Sequence, residues 1–175
     1  SLKYNSLSEF TFDIPNKIGD NIFVESYDLI KGKRLILVEN IGYFRINNVS
    51  ESDDGAKKIK QVTCNLLESE LVQKKLTAFG GTMKLYDLLS PQTSLLGMIL
   101  ARIPTWTIGV VDSVLMNAYR TFNIDNSTIY GFLMDDVENA YGCIFTFDSY
   151  NKTISATARE NAVYESDIYL SYDNL

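Results

Sequence analysis

The sequence predicts an α+β fold, with an amino-terminal antiparallel β-barrel-like subdomain followed by an α+β subdomain of two helices packed on a small sheet. Three features carry that expectation. Between Asn126 and Ala156 the apolar period switches from about 3.6 residues to 2. Ahead of Leu76, short apolar runs are separated by turn residues at roughly 8- to 12-residue intervals. Between Ser90 and Pro104 a second helical stripe opens at a capping serine and closes at a proline.

In chain order, Ser8 to Pro15 alternates Phe10, Phe12 and Ile14 with Glu9, Thr11 and Asp13, the pattern of a half-buried strand, and Pro15 ends it. Asn21 to Ile30 fits neither period. Lys31-Gly32-Lys33 turns into an apolar strand over Leu35 to Val38, and Asn40-Ile41-Gly42 turns into another through Tyr43, Phe44, Arg45, Ile46 and Val49. Ser52-Asp53-Asp54-Gly55 is a hairpin signal, followed by a strand holding Ile59, Val62 and Cys64. Leu66 to Leu76 reads as a helical or irregular exit. Phe79-Gly80-Gly81-Thr82 breaks the periodicity, which places a boundary between a β-rich subdomain, 1–80, and an α+β subdomain, 81–160.

In the second half, Ser90-Pro91 is a cap with proline at the first helical position, opening a helix through Leu95, Leu96, Ile99, Leu100 and Ile103 that Pro104 ends. Strands follow at Trp106 to Val111 and Tyr119 to Ile124. Asn126 or Ser127 caps the next helix, whose stripe is Ile129, Phe132, Leu133, Val137, Ala140 and Tyr141, and Gly142 stops it. The hairpin after it sets Cys143, Phe145 and Phe147 on one face and Ile144 and Thr146 on the other, turns over Asp148 to Lys152, and returns through Thr153 to Ala156. Such a helix needs an apolar sheet face to cover, and the hairpin supplies one. Ile168 to Tyr172 is strand-like without a partner, so 161–175 reads as the start of a further β domain in a longer protein.

Composition excludes several classes. Hydrophobic residues at 46% rule out a disordered chain, and no run approaches the ~20 apolar residues of a membrane span. No secretory signal peptide is visible. A net charge of −6 argues against nucleic-acid recognition, which needs a cationic footprint. The densest basic clusters, Lys57, Lys58 and Lys60 and then Lys31, Lys33 and Arg34, read as solvated turns or strand edges. The chain has no histidine, which removes Ser-His-Asp and Cys-His nucleophile systems and His-bearing zinc sites. Cys64 and Cys143 sit in apolar strand patterns and read as buried free thiols, with a disulfide between them as the other possibility.

Asp135, Asp136 and Glu138 are the best candidates for acid–base work, yet they fall opposite the apolar stripe, where a solvated face requires carboxylates for solubility alone. Trp106 and the eleven tyrosines suit either a sugar-stacking platform or packing, and packing is the simpler use. Asp53 and Asp54 lack the spaced oxygen donors of a calcium loop. No residue is therefore assigned a catalytic, cofactor-binding or metal-binding role, and no cofactor is expected.

Leu85-Tyr86-Asp87-Leu88-Leu89, Thr105-Trp106-Thr107-Ile108-Gly109, Tyr119-Arg120-Thr121-Phe122, Phe132 to Glu138, and Gly142-Cys143-Ile144-Phe145 with Asn151-Lys152-Thr153-Ile154 resemble, in order, the amino-terminal region of the phage and prophage tail-associated lysins. These are also called endopeptidase tail or minor structural proteins. Phe10 to Pro15 and Tyr27 to Gly32 resemble that region's opening strand and turn. The resemblance implies a baseplate-hub-like fold, similar to the hub proteins of contractile phage tails, and a non-enzymatic virion component at the tail tip. It also implies a homotrimer in the full-length protein, docked to the distal tail protein ring and to the tail tube or tape measure protein. Any lytic activity would belong to a separate carboxy-terminal domain. Little chain precedes the opening strand, so the barrel is expected to be incomplete. The competing reading is a cell-wall-directed hydrolase or carbohydrate-binding module.

Overall fold

The computed structural model of the chain describes residues 9–19, 22–53 and 55–162. Its first half is a four-stranded antiparallel sheet. The strands are β1 (Glu9–Pro15), β4 (Leu35–Val38), β5 (Gly42–Asp53) and β6 (Lys58–Leu66), in the order β1-β6-β5-β4. A short hairpin, β2 (Lys17–Ile18) and β3 (Ile22–Phe23), interrupts the path from β1 to β4. The stretch Asn21 to Ile30, which fitted neither period, divides into β3 and a 3-10 turn over Glu25–Leu29.

Alternation along these strands puts Phe12, Ile14, Ile36, Val38 and Val49 on one face, around a small buried cluster of Phe44, Ile46, Val62 and Cys64. A bulge between Ile46 and Asn48 of β5 shifts the register against β6, which raises the local twist and curls the sheet. Among the described residues the sheet is open, with β1 and β4 as its edges, and the expected barrel is there a curled half-barrel.

One basic residue departs from its expected solvated position. Lys60 is buried; its ammonium donates to the carbonyls of Tyr27 at 2.8 Å and Ile30 at 3.3 Å and stands 4.1 Å from the centroid of the Tyr27 ring. Facing inward from β6, it adds a charged donor at the end of the 3-10 turn, where the Tyr27 carbonyl also accepts from the Ile30 amide at 3.3 Å.

The larger core begins at Leu67 and belongs to the second half. A two-stranded ribbon pairs β7 (Lys75–Lys84) with β9 (Tyr119–Thr128). The Phe79–Thr82 stretch, expected to break the chain, is instead the interior of β7: Phe79 is buried and Gly80 pairs with Asn123. A three-stranded sheet has the order β10-β11-β8, from β10 (Cys143–Asp148), β11 (Thr153–Ala158) and β8 (Thr107–Val111). Its β11 and β8 run parallel, a pairing that needs a long crossover and leaves no local signature.

Both helix starts lie further along than the residue pattern suggested. Pro91–Thr93 forms a 3-10 turn, and Ser94, in extended conformation, caps α1 (Leu95–Leu100) by accepting from the Gly97 amide at 3.3 Å. The second helix is capped by Thr128, whose Oγ1 accepts from the Gly131 amide at 3.0 Å, because Asn126 and Ser127 are held in β9 by pairing with Thr77 and Leu76. That helix comprises α2 (Ile129–Gly131), a π-helical stretch over Phe132–Val137 and α3 (Glu138–Tyr141). Gly142, at φ 64° and ψ 40°, ends it in the left-handed conformation.

The π-helical stretch has a consequence for the face that is buried. An α-helix turns about 100° per residue, while a π turn takes in roughly one residue more. Residues beyond Val137 therefore arrive about 100° behind their α-helical phase, which brings Glu138 onto the core side, where Tyr141 is buried too. Phe132 meets the edges of Phe79 and Phe122 at 5.5 and 5.2 Å, and the Tyr141 hydroxyl donates to the Met83 carbonyl at 2.7 Å. Each aromatic pair adds about 0.5–1.5 kcal/mol beyond its area burial. The strand-like run Ile168 to Tyr172 lies outside the described residues.

Candidate assembly surface

The carboxylates favoured by the sequence do not converge. Asp135 and Asp136 are exposed on the second helix, whereas Glu138 is buried and its Oε1 accepts from the Phe145 amide at 2.8 Å. Glu138 therefore ties the helix to β10 and does not belong to the solvated face on which the spacing put it. Trp106 is buried, with its indole Nε1 donating to Glu70 Oε2 at 3.3 Å. Asp53 accepts from the Gly55 amide at 2.9 Å and faces Lys58, which is turn chemistry. Cys64 and Cys143 are both free and buried in different cores; burial pushes the Cys143 thiol up to about 12 and raises Cys64 as well. Among the described residues, no group of three or more His, Cys, Asp or Glu is placed to hold a metal, and no helix is long and apolar enough to cross a membrane.

The two halves meet where the turn between β10 and β11 lands on β5. Ser149 Oγ accepts from the Tyr43 amide at 2.9 Å, the rings of Tyr43 and Tyr150 meet edge-on at 5.7 Å, and Gly42 lies against Ser149. Beside them Glu70 gathers three donors: Arg45 from β5, Lys152 at 3.2 Å and Trp106. Burial alone would raise the Glu70 carboxyl, but the Lys152 ammonium, the Arg45 guanidinium and the Trp106 N–H outweigh it and hold the carboxyl below its usual range. Sequence reasoning missed Glu70. It sits in an unpatterned connection, and its partners are distant in the chain.

What the molecule presents to its surroundings is apolar surface along strand edges. On edge strand β4, Leu35 is 46% and Leu37 52% exposed, and Ile41, in the turn to β5, is 45% exposed. At the other edge, the β1 ring of Phe10 is also exposed, and the β2–β3 hairpin holds Ile18, Ile22 and Phe23 outward, Phe23 at 74%. An edge with free amides and carbonyls, flanked by apolar side chains, is a template for strand addition. Lys31, Lys33 and Arg34 precede β4, while Glu9 and Asp13 lie on β1, so the two edges differ in charge. With four antiparallel strands, β1 and β4 run in opposite directions.

No family model and no curated protein matches the chain. Among the solved structures that share its fold are three tail proteins. The prophage tail protein gp18 from Listeria monocytogenes EGD-e aligns with a TM-score of 0.63 at 13% identity, over 98% of this chain and 47% of its own. The 43 kDa tail protein of prophage MuSo2 from Shewanella oneidensis aligns at 0.57 and 14% identity, over 85% of this chain and 44% of its own. The tail protein from Neisseria meningitidis MC58 aligns at 0.59 and 11% identity, over 86% and 41%. The chain thus spans less than half the length of each. An open, curled sheet leading into a helix-covered α+β unit is the fold this chain has in common with prophage tail proteins.

Proposed function

We propose that this chain is a structural, non-enzymatic component of a phage or prophage tail: the hub portion of the tail tip, which trimerises around the tail channel and docks to the distal tail protein ring. The observation that carries this reading is the alignment of 98% of the chain with a prophage tail protein. The free edges support it. A neighbouring copy in the same orientation would bring its β1 antiparallel to β4, so an even number of strands per copy lets pairing continue across the seam. In that arrangement Lys33 and Arg34, at the start of β4, meet the Asp13 end of the neighbouring β1. Two different surfaces joined head to tail close a ring when the rotation between copies permits it.

The mechanism is geometric: edges and apolar side chains of adjacent copies bury on the order of 2,000 Å² or more in an obligate contact. Contacts with the tail tube or tape measure protein would then line up along the ring axis. Sedimentation of the full-length protein tests the assignment. A trimer is expected, and monomer alone at high concentration would sink it. Zymography and pull-down on purified cell walls test the hydrolase or carbohydrate-binding alternative, for which blanks are expected.

A further inference from the structure

A cleft of about 560 Å³ opens at the junction of the two halves, beside Glu70. Arg45, Lys74, Arg102 and Lys152 all line it, with the buried indole of Trp106 behind them. Four of the chain's 16 Lys and Arg thus face one cleft, against a single one of its 22 Asp and Glu. A chain with net charge −6 does not concentrate cations for solubility. Glu70 offsets one positive charge by binding Arg45 and Lys152, and among the described residues no carboxylate pairs with Lys74 or Arg102. The Arg102 guanidinium lies 5.3 Å from the centroid of the Phe79 ring, and among the described residues it has no counter-anion.

We infer that this cleft is a binding site for a multivalent oxyanion of the phosphate class. A lone carboxylate would neutralise one of the three surplus charges, whereas a phosphate group carries up to two charges and several acceptor oxygens, matching guanidinium and ammonium donors arranged around one space. Lys74 and Arg102 are the recruiting residues. Arg45 and Lys152 share their remaining N–H groups with the ligand while keeping Glu70.

The test is calorimetric titration of the chain with inorganic phosphate, tripolyphosphate and tetraglutamate at matched ionic strength. Saturable binding is expected, tightest for tripolyphosphate, and Lys74→Ala with Arg102→Gln should weaken it about tenfold or more, the loss of one to two charge-assisted contacts. Lys31→Ala with Lys75→Ala, two exposed lysines outside the cleft, should leave the affinity unchanged. Melting temperatures without ligand establish that each variant folds, and Lys74→Ala alone serves if the Arg102 change unsettles Phe79. No saturable binding, equal weakening by the Lys31 and Lys75 pair, or tetraglutamate binding as tightly as tripolyphosphate would each overturn the assignment.

Discussion

Gly42 and Ser149 touch so closely that a Cβ on residue 42 would fall 2.1 Å from Ser149 Oγ. Gly42 also holds φ at 141°, a backbone conformation that side-chain-bearing residues rarely adopt. Gly42→Ala should therefore destabilise the chain by roughly 2–4 kcal/mol, combining backbone strain with displacement of the Ser149 hydroxyl that receives the Tyr43 amide. Urea unfolding measures the loss. Removing the hydroxyl as well, in Gly42→Ala with Ser149→Ala, should recover only the clash component; full recovery would mean that the backbone at 42 is unstrained.

Glu70 links stability to acidity. Its carboxyl titrates lower in the folded chain than in the unfolded one, so its contribution is fully present above the ordinary carboxylate pKa of about 4.3 and is lost as pH falls through the folded value. Glu70→Gln should cost about 1–3 kcal/mol at pH 7 and flatten the decline in stability below about pH 4. Unfolding curves from pH 3 to 7 check both. An unchanged acid limb in the variant would show that other carboxylates set it.

Among the helix carboxylates, Glu138 and Asp135 should separate cleanly. Glu138→Ala leaves the buried Phe145 amide without an acceptor, costing about 1–3 kcal/mol, whereas Glu138→Gln retains a side-chain oxygen and should cost less. Asp135→Ala and Asp136→Ala, at exposed positions, should stay within about 0.5 kcal/mol of the parent. Denaturant midpoints rank the four.

Thiol chemistry reports on both cores. With Cys143 pushed up to about 12 and Cys64 raised by burial, neither should react appreciably with a thiol reagent at pH 8 in the folded state, and both should react after denaturation. A disulfide found without oxidant would contradict the separation of the two residues into different clusters.

Edge strand β4 offers a test of assembly independent of folding. Leu35→Lys and Leu37→Lys fall on side chains about half exposed, so the monomer should lose under about 1 kcal/mol, while strand addition at that edge should fail. If the full-length protein assembles as proposed, its sedimentation should then shift from trimer toward monomer, while the melting temperature of this chain falls by no more than about 4 °C.

Much of the architecture was legible in the residue order. Alternation along Phe10, Phe12 and Ile14, and again along Phe44 and Ile46, marked strands because period 2 is imposed by the pleat. Gly142 marked a helix end because the left-handed conformation found there suits glycine. Helix starts were less legible. Ser90, Asn126 and Ser127 are all competent caps, and the choice of Ser94 and Thr128 depended on a 3-10 turn and on how far β9 stays paired with β7.

By itself the sequence determined the α+β class, the helix–hairpin unit and the acidic, histidine-free composition, since periodicity and residue chemistry are local properties. Only the tertiary structure decided that Glu138 turns inward, that Lys60 is buried, that the described strands of the first half take the order β1-β6-β5-β4, and that Glu70 clasps the two halves together. Each of those depends on a helical phase shift, a strand partner or a charge partner far away in the chain. Such distances are set by the folded path and leave no periodic mark on the residues that meet.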